Sequence, residues 1–147
     1  MIKMINHDTV ELLKECNAGI KMGVNSIDEV LDRVKDEKFK KILINSKEAH
    51  QKLGSETHSI LNECDECGKE PNIMAQGMSW LKTNMMLAVD ETDQKIADLI
   101  TDGCDMGTKS LNKYLNQYEA ASEDAKDITK RLIKIEDDLA AEIRCYL

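Results

Sequence analysis

VKDEKFKKILINSKEAHQKLGSETHSILNEC, residues 34–64, reads as one long helix. Phe39, Ile42, Leu43, Ser46, Ala49, Leu53, Thr57, Ile60 and Cys64 recur every three or four positions, the spacing of a helix with one buried stripe. The stretch also carries His50 and His58, two of the chain's three histidines. His50 falls beside the stripe, near the middle of the helix, where a polar group must find a partner or do chemistry.

Working outward, Asp8 and Glu11 have the spacing of a capping box and predict the start of a first helix that runs to about residue 34. Leu13, Cys16, Ile20, Gly23, Ile27, Val30 and Val34 form its stripe, widened by Val24 and Leu31. Gly19 and Gly23 interrupt it one turn apart. Each glycine costs about 1 kcal/mol relative to alanine inside a helix, so a packing reason is expected. Asp36 is placed to cap the second helix after a very short turn, which makes the first two helices antiparallel neighbours. Gly68 and Pro71 end that second helix.

Residues 73–89 predict a shorter helix with two stripes. Met74, Met78, Leu81 and Met85 form one, Ile73, Trp80 and Leu87 the other. One stripe docks on the bundle, and the second either shares that groove or forms a homodimer interface through Ile73, Trp80 and Leu87. Asp90, Thr92 and Asp93 put negative charge at the start of the next helix, which holds Ile96, Leu99, Ile100, Gly103, Gly107, Ser110, Leu111, Tyr114 and Tyr118. Ser122 is the predicted cap of the last helix, whose stripe is Ala125, Ile128, Leu132, Ile135, Leu139, Ile143 and Tyr146. At 1.5 Å per residue the short helix is roughly 25 Å long, enough to return along most of a bundle. The third long helix then runs parallel to the second. The predicted fold is a single all-α domain over residues 1–147: a four-helix bundle with one crossover connection.

Composition narrows the function. Hydrophobic residues make up 41% and charged residues 33%, which suits a folded chain with a real core. The net charge of −8 argues against nucleic acid and against an anionic membrane surface. No apolar run is long enough to span a bilayer, and the N-terminal stretch lacks a secretory hydrophobic segment. Five cysteines without such a segment point to a reducing, cytoplasmic setting.

Three groups invite chemistry. His50 and Glu136 both sit beside their stripes near mid-helix and are placed to meet inside. They form either a satisfied hydrogen-bonded pair or a residual site for a single Fe, Zn or Mn with Glu56 or Glu142 assisting. Cys64 and Cys67 form a lone CxxC without the second ligand pair a structural zinc needs, at a helix end among acids that oppose thiolate formation. His50-Gln51-Lys52-Leu53-Gly54 is similar to the phosphorylatable motif of histidine phosphotransfer domains. Gly54 matches that motif, but Lys52 lies on nearly the opposite helix face from the position where its charge would serve the phosphoryl group.

VKDEKFKKIL (34–43), EAHQKLGSETHSIL (48–61) running on to GKEP (68–71), and DGCDMGTKSLNKYLNQY (102–118) resemble small bacterial ferritin-like proteins of unknown function, distant relatives of rubrerythrins and bacterioferritins. The resemblance implies a ferritin-like bundle. Its active members hold two irons through one Glu on each of two helices and a Glu-x-x-His pair on each of the others. Here Gln51 follows Glu48 by three and Leu139 follows Glu136 by three, so no two-iron centre is expected. Gly19, Gly23, Gly103 and Gly107 fall at the depth of the relatives' inward carboxylates. The metal ligands are then exchanged either for close backbone approach or for a cavity that admits a small molecule. The expected role is a non-catalytic interaction or structural bundle. Single-metal binding or iron storage, and His-to-Asp phosphotransfer through His50, are the alternatives.

Overall fold

The computed structural model describes residues 6–63 and 92–147. Among the described residues it contains four long α-helices and no strand. These are α1 (His7–Leu31), α2 (Glu37–Asn62), α3 (Asp93–Gln117) and α4 (Glu123–Glu142), followed by a single 3₁₀ turn, Arg144–Tyr146. The predicted helix over 73–89, the Ile73, Trp80 and Leu87 stripe, the Cys64/Cys67 pair, and Gly68 and Pro71 lie outside the described residues. No helix among the described residues is long and apolar enough to cross a membrane.

Each helix begins where a short polar side chain can accept a backbone N–H that has no partner inside the helix. Asp36 caps α2 by accepting from the Phe39 amide at 2.9 Å. Thr92 caps α3 and Ser122 caps α4 in the same way. The start of α1 differs from the expected Asp8/Glu11 capping box. Asn6 is the cap, accepting from the Thr9 amide at 2.8 Å. Asp8 is thereby left to accept the Ala120 amide at 3.1 Å and tie down the α3–α4 connection.

Contacts at the helix ends fix the directions. The Asn6 side chain donates to the Ala120 carbonyl, and the Ser122 amide donates to the Thr9 hydroxyl. The start of α1 therefore lies beside the end of α3 and the start of α4. At the opposite end, the Asp93 carboxylate accepts the Lys35 amide at 2.8 Å and the Asp36 amide at 2.9 Å. The Tyr146 hydroxyl donates to Asp36, and its ring stacks on Phe39 with centroids 4.6 Å apart. Helices α2 and α3 thus begin at the same end and run the same way, and so do α1 and α4. Consecutive pairs α1–α2 and α3–α4 are antiparallel and make the most extensive contacts.

Most predicted stripe positions are buried, while Ile42, Ser46, Ala49, Ile60 and Ile135 are half-buried and Leu12 joins the core. Leu13, Cys16, Ile20, Ile27 and Val30 on α1 face Phe39, Leu43 and Leu53 on α2, with Ile96, Leu99, Ile100 and Leu111 on α3 and Ile128, Leu132 and Leu139 on α4. This apolar core is divided. One cluster, around Ile27, Val30, Phe39, Leu43, Ile96 and Ile143, fills the end where α2 and α3 begin. The other, around Leu12, Leu13, Leu53, Leu61, Ile128 and Leu132, fills the opposite end.

Asp93 joins three elements through one side chain. Replacing it by alanine leaves two amides of the α1–α2 turn to water and is expected to cost about 1–2 kcal/mol. Asp93→Asn, which keeps one acceptor, is expected to cost less than Asp93→Ala. Chemical denaturation of the two variants checks the order.

Candidate functional site

The layer between the two apolar clusters holds the chain's polar centre. His50 on α2 is fully buried. Its Nδ1 donates to the Ser46 carbonyl one turn earlier at 2.7 Å, an acceptor that leaves no choice about where that proton sits. Its Nε2 lies 2.6 Å from Glu136 Oε1 on α4. A bond that short needs a proton between the two atoms, because two lone pairs repel at that distance. One proton thus sits on Nδ1 and a second between Nε2 and Oε1. Burial by itself lowers the His50 pKa, but the hydrogen bond and charge of Glu136, with the Ser46 carbonyl, outweigh it, and the net shift is upward. The pair is read as an imidazolium against a carboxylate.

Glycine makes room for this arrangement. A Cβ at Gly23 on α1 would sit 2.7 Å from His50 Nε2 and 2.8 Å from its Cδ2. No real side chain tolerates such a contact with a ring held at both nitrogens. Gly54 likewise lets α2 lie against Ile20, where a Cβ would be 3.1 Å from the Ile20 side chain. Gly103 on α3 is the opposite case, since a Cβ there would meet nothing within 4 Å. Close backbone approach is thus not the purpose of the α3 glycines. Gly19, Gly23, Gly103 and Gly107 instead line a cavity of about 420 Å³ between α1 and α3.

The cavity walls are mainly apolar, with Leu99, Ile100, Leu111, Leu132 and Leu139 among them. His50 and Glu136 form part of its lining near the middle, where a Cβ at Gly107 would lie 3.7 Å from Glu136 Oε2. A second acid, Glu15 on α1, also lines it, beside Tyr114 on α3. Burial raises the Glu15 pKa against a hydrogen bond with Tyr114 that favours the charged form, and the nearby Glu11 charge adds to the rise. Burial and the Glu15 charge push the Tyr114 hydroxyl up to about 12. Glu15 Oε2 is buried and has no hydrogen-bond partner among the described residues.

Two thiols border this region. Cys104 lines the cavity, and burial and the Glu136 charge raise its pKa, which keeps it a thiol. Cys16 donates to the Thr129 hydroxyl at 3.1 Å, that hydroxyl being committed to the Ala125 carbonyl, and burial pushes the Cys16 thiol up to about 12.

Of the four residues singled out for metal, the fold brings together His50 and Glu136 only. Glu56 is exposed and accepts both terminal nitrogens of Arg131, at 2.9 and 2.7 Å. Glu142 is exposed at the end of α4. Among the described residues, no three His, Cys, Asp or Glu side chains gather where they could share a metal ion. Of the neighbouring acids 136–138, Asp138 pairs on the surface with Lys134 at 3.0 Å, whereas Glu136 turns inward to His50. Sequence reasoning missed Glu15, Tyr114 and Cys104. The available signal was a face of small or polar residues, Glu15, Gly19, Gly23 and Ser26, repeating at helical spacing beside the apolar stripe of α1.

The described residues form an all-α arrangement of four long helices with a polar waist and an adjoining cavity between α1 and α3. Comparison with protein-family models, curated proteins and solved structures gave no match.

Two glycine substitutions should have opposite signs. Gly23→Ala drives a methyl into the His50 ring and is expected to destabilise by about 1–3 kcal/mol. Gly103→Ala meets empty space and is expected to stabilise by about 0.5–1 kcal/mol through helix propensity. Thermal melts of both variants check the contrast.

The His50 pair also predicts a pH dependence. A histidine whose folded pKa is raised above its unfolded value of about 6.5 stabilises the fold fully below that pH. The contribution is lost as pH rises through the folded value, so Tm should fall over that window. Glu136→Gln removes the partner that raises the pKa. It is expected to cost about 1–3 kcal/mol near pH 6 and to abolish the fall above pH 6.5. Melting curves across pH for the two proteins check it.

Proposed function

We propose that this protein is a non-catalytic ligand-binding bundle of ferritin-like topology, whose central cavity admits a small, largely apolar molecule. The observation that carries the reading is the cavity of about 420 Å³ at the waist, opened by four glycines and walled mainly by aliphatic side chains. Ligand pockets are typically concave, mostly apolar and of a few hundred Å³, with a few placed polar groups. Aliphatic walls left facing water forgo the stabilisation that burying them would bring. Two or more glycines per helix at that depth add a further cost in helix propensity. A bound molecule offsets both.

The shared direction of α2 and α3, and of α1 and α4, supports the one-crossover arrangement of ferritin-like bundles. The residues present do not fit a two-iron centre. Glu48 and Gln51 lie on the outer side of α2, away from His50, and glycines occupy the matching depth of α1 and α3. A single metal on His50 and Glu136 would have to separate a pair that already bonds at 2.6 Å, with neither Glu56 nor Glu142 at hand. Phosphotransfer needs an accessible ring nitrogen, whereas His50 is fully buried with both nitrogens engaged. Burial raises the pKa of Cys16 and of Cys104, so neither thiol is activated as a nucleophile.

Filling the cavity tests the reading. A neutral apolar probe, 4-phenylbutanol, is expected to raise the Tm of the wild-type protein in a concentration-dependent way. Gly103→Leu, which projects a side chain into the empty space, is expected to raise Tm by itself and to abolish the response to the probe. No response in the wild type, or an equal response in both, would refute it.

A further inference from the structure

The polar groups of the cavity differ in how well they are balanced. Among the described residues, two carboxylates, Glu15 and Glu136, line it, and no Lys or Arg does. The Glu136 charge is already matched, since His50 holds it at 2.6 Å. Glu15 has no such cation among the described residues. Among the described residues, the Tyr114 hydroxyl favours its charged form by a hydrogen bond and Glu11 repels it. One oxygen of Glu15 is buried and unpartnered among the described residues. An apolar chamber with one unmatched acid at its edge selects for a ligand that is apolar over most of its length and positively charged at one end.

We infer that the ligand is a small hydrophobic amine, with its protonated nitrogen at Glu15 and Tyr114 and its apolar part along the glycine-lined space toward Gly103. The inference rests on the cavity reading and adds the chemical class. An ammonium group supplies three donors, enough to satisfy the orphaned oxygen of Glu15 while also meeting the Tyr114 hydroxyl oxygen. It also opposes the effect of burial on Glu15, because a nearby cation favours the ionised carboxylate. A carboxylate ligand would face two acids, with no basic side chain among the described residues lining the space to receive it. At protein packing density the chamber has room for roughly fifteen non-hydrogen atoms. That excludes a polyamine conjugate or a peptide from lying wholly inside, and suits an arylalkylamine.

Three probes of one shape separate the contributions: 4-phenylbutylamine, 4-phenylbutanol and 4-phenylbutyrate. Titration calorimetry of the full chain is expected to give the amine about a tenfold tighter Kd than the alcohol, with the carboxylate weakest. In Glu15→Gln the ratio of amine to alcohol affinity is expected to fall to near one. Tyr114→Phe, which removes only a hydroxyl, should lower the ratio by a smaller factor and serves if Glu15→Gln does not fold. An alcohol that binds as tightly as the amine in the wild type overturns the amine assignment and leaves the cavity reading standing. A ratio unchanged in Glu15→Gln or in Tyr114→Phe also overturns it. If none of the three probes binds, both the class and the cavity reading fall.

Discussion

The hydrogen bond between His50 and Glu136 is the constraint around which the middle of this protein is arranged. A fully buried imidazole is costly unless both of its nitrogens are satisfied. The Ser46 carbonyl takes the Nδ1 proton, and that leaves Nε2 to find an acceptor across the bundle. Glu136 supplies it from α4, so two helices far apart in sequence are registered against each other by one bond. Neither partner is separately at home in that layer. Removing one leaves the other buried and uncompensated, which is typically worse than replacing both by apolar groups.

The rest of the waist follows from making space for that bond. The ring lies so close to α1 that residue 23 cannot carry a side chain. Above and below the polar layer the helices return to ordinary aliphatic packing, which is why the core falls into two clusters. On the α3 side, Gly103 has no neighbour that needs its smallness. The α3 glycines leave a chamber between α1 and α3, the face of the bundle that the His50 pair does not close. Stability is therefore concentrated at the two ends, where Asp93, Asp8 and Asn6 also lock the connections. The proposed ligand space lies in between.

The helices, their caps at Asp36 and Ser122, and their buried faces were legible in the sequence because helical periodicity is a local signal. The meeting of His50 with Glu136 was legible too, since both fall beside a stripe at matching depth. Glu56 and Glu142 were harder to place. They share a spacing with the interior positions, but Arg131 captures Glu56 on the surface, and α4 reaches its end at Glu142. The role of the glycines depended on the distance between α1 and α3, which no single helix encodes. The cap at Asn6 was hidden by an equally good pattern at Asp8 and Glu11, because both sets of side chains are compatible with a helix start and only the α3–α4 connection favours one. Glu15 gave little sign of itself, as an acid next to a stripe usually reaches water. Its partner Tyr114 lies about a hundred positions away along the chain.

The proton inventory of His50 is the most direct measure of whether this waist is built as described. Long-range nitrogen–proton correlation spectra of the histidine side chains should show both ring nitrogens of His50 protonated at neutral pH, with a titration displaced upward from that of an ordinary histidine. A neutral ring with a single proton, or a titration at the ordinary value of about 6.5, would contradict it.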